Sequence, residues 1–258
     1  MDLTADSRRI DLWCAYISQI GDDSLWPRYE ALLSGHERTR QSRFRFAEHR
    51  RRDLLARALV RTVLSRYAPV RPEDWTFSAG PRGRPAISAP RPLPALEFNI
   101  SHSSDLVVLG ITSGRALGID AENIEARAAA IDRLDRYFAP EESAALRSLP
   151  VPARRRRFFE LWTLKESYIK ARGAGLAIAL DAFRFELSGE RGLTLHMRPE
   201  LGDSPGHWRL WQIALRCGYL AAVCASRGDE APPRITLREV VPLAREEAVD
   251  IVLVRSTG

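Results

Sequence analysis

The 258-residue chain contains no run of about 18 consecutive apolar residues, so an ordinary membrane-spanning helix is not expected. Its start, MDLTADSRRIDLW, lacks the basic-then-apolar pattern of a secretion signal, which predicts a cytoplasmic protein. Cysteine is scarce. Cys14, Cys217 and Cys224 are odd in number and without CxxC spacing, so neither a disulfide framework nor a zinc site is expected, and all three read as small buried hydrophobes. No GxxxxGK[ST] phosphate loop, no GxGxxG after a strand and no HExxH is present. His36, His49, His196 and His207 form no metal-ligand spacing. The absence of GxSxG, with no downstream acid to complete a triad, argues against nucleophilic serine chemistry. Lysine is scarcer still. Only Lys165 and Lys170 interrupt an otherwise arginine-only set of 39 basic residues. Lysine is a compact donor that can yield its proton where arginine cannot, so two lysines five positions apart invite a chemical explanation beside that of chance.

What is present is ordinary for a globular protein: 45% hydrophobic residues, 28% charged residues and a net charge of +6. The length suits one large domain or two small ones. Residues 36–67 read as one helix, with Leu54, Leu55, Ala58, Leu59, Val63 and Leu64 at helical spacing behind an arginine-crowded start. Strand-like pieces follow in WTFSAGPRGRPAI and in LEFNISHSSDLVVLGITSGRALGIDAENI, where Leu106–Ile111 is predicted as a buried strand. His102-Ser103-Ser104-Asp105 and Ser113-Gly114-Arg115 are expected as turns on either side of it. Pro140 with Glu141 and Glu142 predicts a helix start, and a second helix is expected from about Arg154 to Arg172, ending before Gly173. Residues 183–187, 207–215 and 218–226 read as strands, the last two joined as a hairpin at Arg216-Cys217-Gly218.

Helix then antiparallel strands thus recurs twice. The expectation is an α+β fold of two similar halves in one chain, an N-terminal half over 1–114 and a C-terminal half over 115–228, with an extension over 229–258. The extension opens with GDEAPPR and ends in an apolar stretch, compatible with a strand or a helix.

Three places could carry chemistry. In Leu117-Gly118-Ile119-Asp120-Ala121-Glu122, strand periodicity puts Asp120 and Glu122 on one face. Two carboxylates so placed suit a hard divalent cation with oxygen ligands, or a solvated strand edge. In the helix RRRRFFELWTLKESYIKAR, Trp162, Glu166 and Lys170 are four apart and share a face. Glu166 and Lys170 make either an exposed ion pair, or a metal ligand or base and a phosphate donor, whose protonation burial would perturb. In Asn99-Ile100-Ser101-His102-Ser103, His102 at a strand end could donate to phosphate or be merely solvated. Arginines such as Arg38, Arg40, Arg52 and Arg84 could fork onto phosphate, though solvation explains any one of them.

FNISHS, GIDAE and WTLKESYIK, in that order, resemble the motifs of the surfactin-synthetase-activating, double-length class of 4'-phosphopantetheinyl transferases. The resemblance runs from about residue 35 to 226 and continues after the last motif as GxGLxxxLDxF, Gly173 to Phe183. It implies two similar α+β halves related by a pseudo-two-fold axis, with coenzyme A as substrate in the cleft between them. The phosphopantetheine arm would pass to a serine of an acyl carrier protein or peptidyl carrier domain, releasing adenosine 3',5'-bisphosphate. By the same resemblance Asp120, Glu122 and Glu166 would hold Mg²⁺, with Mn²⁺ the alternative ion. Glu166, directly or through water, would take the serine proton, and Lys170 would support the leaving phosphate. Ser101 and His102 would contact the coenzyme's phosphates, and Arg52, Arg84, Arg38 and Arg40 its nucleotide end. The implied protein is a cytoplasmic monomer without nucleic-acid or membrane partners, whose arginine-rich surface steers small acidic carriers. Two other readings compete: a Mg²⁺-dependent nucleotide phosphoesterase, which would use water as nucleophile, and a basic nucleic-acid-binding protein, suggested by the arginine clusters at 50–52 and 154–157.

Overall fold

A computed structural model describes residues 3, 6–80, 83–91, 95–125, 134, 136–173, 175, 178–228 and 231–258. Parts of three expected segments therefore lie outside the described residues: 81–82 in the strand-like WTFSAGPRGRPAI, 174 and 176–177 in the glycine motif, and 229–230 in the GDEAPPR stretch.

The described chain forms two compact units, 1–114 with 233–250, and 115–232 with 251–258. In chain order the elements of the first stretch are β1 (Arg9–Tyr16), α1 (Leu25–Ala31), α2 (Gly35–Gln41), α3 (Ala47–Leu64), β2 (Thr76–Ala79), β3 (Pro85–Ala89), β4 (Leu96–Ser103) and β5 (Leu106–Ser113). Then come β6 (Leu117–Asn123), α4 (Pro140–Ser148), α5 (Val151–Arg172), β7 (Phe183–Ser188), β8 (Gly192–Met197), β9 (Trp208–Leu215) and β10 (Tyr219–Ser226). The chain closes with β11 (Arg234–Val241), β12 (Arg245–Val249) and β13 (Val252–Ser256). The fold is α+β, as expected.

The first unit is a five-stranded sheet, β12-β11-β1-β5-β4, with β2 and β3 as a separate hairpin. The β1–β11 pair is parallel and the other neighbours are antiparallel. β5 is buried along nearly its whole length and turns back from β4 through Ser104-Asp105. His102 and Ser103, expected in that turn, are instead the last residues of β4, because the ladder continues to the Ser103–Leu106 pair. The predicted helix over 36–67 is broken into α2 and α3. Residues 42–46 depart from it: the Arg43 and Phe44 amides bond three residues back, and Phe46 takes an extended conformation before α3 begins. The apolar face of α3, with Leu54, Leu55, Ala58, Leu59 and Val63, packs with Trp13, Val107, Leu109 and Ile111 of the sheet.

The second unit is a six-stranded sheet, β6-β10-β9-β13-β8-β7, antiparallel except between β13 and β8. The hairpin at Arg216-Cys217-Gly218 is present. Cys217 there is exposed with φ 57°, so unlike buried Cys14 and Cys224 it is a turn residue rather than a core one. The residues after 229 form strands of both sheets: β11 and β12 extend the first and β13 lies inside the second. No helix among the described residues is long and apolar enough to cross a membrane.

α5 begins at Val151, three residues ahead of expectation, and ends at Gly173, whose φ of 62° is the left-handed cap that glycine adopts without strain. Its apolar residues Phe158, Leu161, Leu164 and Tyr168 join Leu210, Ala222 and Cys224 in the core. Two polar clusters fix it. Lys165, fully buried, donates to Glu142 Oε2 at 2.8 Å, to Leu180 O at 2.8 Å and to Phe183 O at 2.7 Å, so all three ammonium protons are used. Glu142 in turn accepts the Ala139 and Phe185 amides, both at 2.8 Å, tying α4, α5 and β7 together. Near the other end, Asp203 accepts from the Tyr168 hydroxyl (2.8 Å), Arg172 (2.6 Å) and the Trp208 indole (2.8 Å). Burial alone would raise the Asp203 carboxyl. The hydrogen bonds from Tyr168, the Ser204 amide, Trp208 and Arg172 overcome it and hold the group down at about 2.

Lys165→Met strands the Glu142 charge in the core and is expected to cost about 3–5 kcal/mol in urea unfolding, with part regained when Glu142→Gln is added. Asp203→Asn is expected to cost about 1–3 kcal/mol near neutral pH. Because the folded carboxyl lies below its unfolded value of 3.8, its contribution is present above that value. It is lost as pH falls towards about 2, so the urea midpoints of wild type and variant should converge there.

Candidate functional site

β6 is buried at every position. Its period-two alternation puts Gly118, Asp120 and Glu122 on one face, and α5 covers that face. A Cβ added at Gly118 would stand 2.0 Å from Ser167 O and 2.2 Å from the Ala171 nitrogen, so helix and strand backbones touch there and only glycine fits. This contact decides between the two readings of the acidic strand. The carboxylates are not a solvated edge: Asp120 is 6% exposed and Glu122 5%.

Helical spacing then delivers Glu166 and Lys170 to the same place. Lys170 Nζ lies 2.7 Å from Asp120 Oδ1 and donates to Ile119 O at 3.0 Å. Glu166, one turn earlier, is half-buried. Burial pushes its carboxyl above the ordinary carboxylate range, the Asp120 and Glu122 charges add to that, and Lys170 opposes it. Three carboxylates and one ammonium therefore share a single electrostatic environment. Trp162, one turn further back, packs into the core instead, its ring 5.4 Å from Tyr137 and edge-on to it.

The donor set is suited to a hard divalent ion, since it offers carboxylate oxygens and nothing softer. The mutual repulsion that raises the Glu166 carboxyl is what a cation would relieve. As the side chains stand, no three His, Cys, Asp or Glu side chains among the described residues converge closely enough to form a finished ligand shell. One carboxylate oxygen of Asp120 instead faces the Lys170 ammonium.

In the first unit, a cavity of about 590 Å³ is lined by His36, Arg40, Phe77, Phe98, Ile100 and His102 among others. Its wall includes a tight network sequence reasoning did not find: buried Glu37 accepts from Arg61 at 2.5 Å, Arg57 at 2.6 Å and the Ser34 amide at 2.8 Å. Of the arginines predicted for phosphate, Arg40 lines this cavity. Arg38 bonds to Leu33 O, Arg52 donates to Ser104 O at 3.3 Å, and Arg84 lies 3.6 Å from Glu97. Phe98, Ile100 and His102 share the cavity face of β4, whereas Ser101 projects from the opposite face and is buried. Gly118 was also missed as a site-forming residue; its signal was a glycine on the acidic face of the strand.

Gly118→Ala is expected to force α5 away from β6, lowering stability by about 1–3 kcal/mol and separating Lys170 from Asp120. Thermal unfolding checks the first effect and a structure of the variant the second.

Two family models together span most of the chain. The 4'-phosphopantetheinyl transferase superfamily matches residues 116–224, and the N-terminal region of 4'-phosphopantetheinyl transferases matches 22–113. The chain is 36% identical over 225 residues to the 4'-phosphopantetheinyl transferase HetI of Nostoc sp., covering 87% of this chain and 91% of that protein. It is 32% identical over 210 residues to the 4'-phosphopantetheinyl transferase Sfp of Bacillus subtilis, covering 81% and 89%. A phosphopantetheinyl transferase of Thraustochytrium sp. is 30% identical over 248 residues, covering 91% and 85%. Matched over 81% to 91% of its length at these identities, and by a family model in each half, the chain belongs to the 4'-phosphopantetheinyl transferase family.

Proposed function

We propose that the protein transfers the 4'-phosphopantetheine arm of coenzyme A to a serine of an apo carrier protein, and that Asp120, Glu122, Glu166 and Lys170 carry the chemistry. The observation supporting this is the placement of the Lys170 ammonium on buried Asp120, beside a Glu166 carboxyl lifted by burial and by its acidic neighbours. The serine oxygen forms a bond to the phosphorus that bears the pantetheine arm, and the bond from that phosphorus to the adenosine 3',5'-bisphosphate oxygen breaks. Glu166, directly or through water, accepts the serine proton. Lys170 donates to the leaving phosphate, which requires it to turn away from Asp120, and its partly exposed side chain leaves room for that.

Asp120, Glu122 and Glu166 would hold Mg²⁺ or Mn²⁺. When bound, the ion neutralises the charge that gathers on the phosphate oxygens. Sharing an ion asks the three carboxylates to rotate together and Asp120 to exchange one cation for another. In the first unit, the apolar walls of Phe77 and Phe98, with Arg40 and His102 at hand, suit the flat, phosphate-bearing nucleotide end of the coenzyme. Arg38, Arg52, Arg84 and Ser101, which do not line this cavity, are proposed as further contacts to the coenzyme. We read the protein as a cytoplasmic monomer.

The nucleic-acid alternative loses one of its two clusters. Arg154 bonds to backbone carbonyls, and Arg156 and Arg157 pair with Glu160 at 3.1 and 2.9 Å.

Incubation with coenzyme A, Mg²⁺ and an apo acyl carrier protein, read by intact mass, tests the reading. A carrier gain of one phosphopantetheine is expected; free pantetheine phosphate would point to a phosphoesterase instead. Asp120→Ala is expected to abolish metal-dependent transfer with the fold intact by circular dichroism, and wild-type turnover in that variant overturns the metal assignment. Lys170→Ala should lower kcat by about 100-fold or more with little change in coenzyme affinity.

A further inference from the structure

Two sets of arginines in the first unit contrast with each other. Arg57, Arg61, Arg66 and Arg71 are consumed within the fold, each within 3.0 Å of a carboxylate: Arg57 at 2.6 Å from Glu37, Arg61 at 2.5 Å from the same group, Arg66 at 2.9 Å from Glu246 and Arg71 at 2.8 Å from Asp74. Arg43, Arg45, Arg50 and Arg51 are exposed, and none has a carboxylate within 4.0 Å among the described residues. All four lie where α2 gives way to α3. At the centre of that segment stands Phe46, 55% exposed and among the few large apolar side chains left in water.

The patch is organised by aromatic contacts instead of acids. The Arg45 guanidinium lies 5.7 Å from the Phe46 ring, the His49 ring meets Phe46 edge-on at 5.5 Å, and Arg51 lies 5.5 Å from the Trp26 ring. An apolar centre within a rim of arginines is the composition of a protein-binding surface. Four like charges without counter-ions repel one another, and an exposed phenylalanine gains nothing from water; a partner with carboxylates around an apolar recess relieves both. Phe46, 55% exposed at the centre of the patch, would gain nothing from a phosphate backbone and favours a protein as that partner.

We propose that residues 43–51 form a docking surface for the acceptor carrier protein, Phe46 entering an apolar recess and the four arginines meeting carboxylates around it. This rests on the transferase reading, which supplies an acceptor protein, and adds where that acceptor is held. The residues are separate from those assigned to metal, proton transfer and coenzyme.

The test measures binding of an apo acyl carrier protein whose acceptor serine is replaced by alanine, so that no turnover intervenes, beside transfer to the unmodified carrier. Arg45→Glu with Arg50→Glu is expected to weaken carrier binding and raise the carrier KM by about tenfold or more, with coenzyme A affinity and kcat within about twofold of wild type. The salt dependence of the carrier KM should flatten. Phe46→Ser should weaken binding severalfold, and Glu48→Arg should tighten it, an effect that misfolding cannot produce. Unchanged carrier affinity in the charge-reversed variant, with transfer by wild type intact, overturns the docking surface and leaves the transferase standing. Loss of coenzyme affinity instead of carrier affinity also overturns it, reassigning the patch to the nucleotide. So does retention of a short DNA duplex by wild type that charge reversal abolishes while carrier affinity is unchanged. No transfer by wild type to any apo carrier overturns the transferase reading itself, and the named partner with it.

Discussion

Where α5 presses on β6 at Gly118, two backbones meet with no side chain between them, and the chemistry of the second unit follows from that contact. A strand bearing Asp120 and Glu122 would ordinarily turn its acids to water. Here the face they occupy is covered by a helix, so their charges act in a medium that screens them poorly. The helix that buries them also carries their counterpart, Lys170, and an additional acid, Glu166. Burial thus creates the electrostatic problem, and the same element supplies part of its answer. What remains, a carboxyl lifted by burial and by its acidic neighbours, is a site with three acids and one ammonium.

The helix can hold such a site because its own placement is settled elsewhere. Lys165 and Glu142 lock it to α4 and β7, and Asp203 gathers Tyr168, Arg172 and Trp208 near its far end. A buried ion pair gives little net stability compared with apolar packing, but it is intolerant of displacement, since a shifted partner leaves a bare charge in the core. That intolerance suits a helix on which two reacting side chains must keep fixed positions.

Much of this was legible in the sequence because it rests on periodicity. Period two put Asp120 and Glu122 together, and period 3.6 put Glu166 with Lys170; neither statement needs to know what covers the strand. For β4 that logic falls short: the sequence suggests a turn at His102, and only the continued ladder puts Ser101 and His102 on opposite faces. What was illegible depends on partners distant in the chain. β1 pairs with β11 across more than two hundred residues, and β13 enters the other sheet, so the final strands read only as an apolar tail. The interruption between α2 and α3 was hidden because arginines and phenylalanines at 43–46 fit a helical pattern as well as a break. The burial of the acidic face turned on one glycine, whose meaning appears only when a helix lies against it.

The two lysines can now be told apart, and their survival among arginines has a geometric basis. Lys165 Nζ is a single nitrogen at the meeting point of Glu142 Oε2, Leu180 O and Phe183 O, and the Phe183 ring lies 4.3 Å from it. An ammonium satisfies three converging acceptors with three protons. A guanidinium would bring five donors and a planar fork into the same space, leaving protons unbonded in the core. Arginine is therefore excluded there by hydrogen-bond accounting. Lys170 is excluded from arginine on different grounds. It meets Ile119 O and Asp120 Oδ1 from a partly exposed position, and its proposed work is to leave Asp120 and reach a phosphate. A flexible stem ending in a point charge can make that exchange, whereas an arginine seated bidentate on a carboxylate is held by two bonds at once. The same residue type thus persists twice in one helix, once because the surroundings are too complete to accept anything else and once because the contact has to be broken.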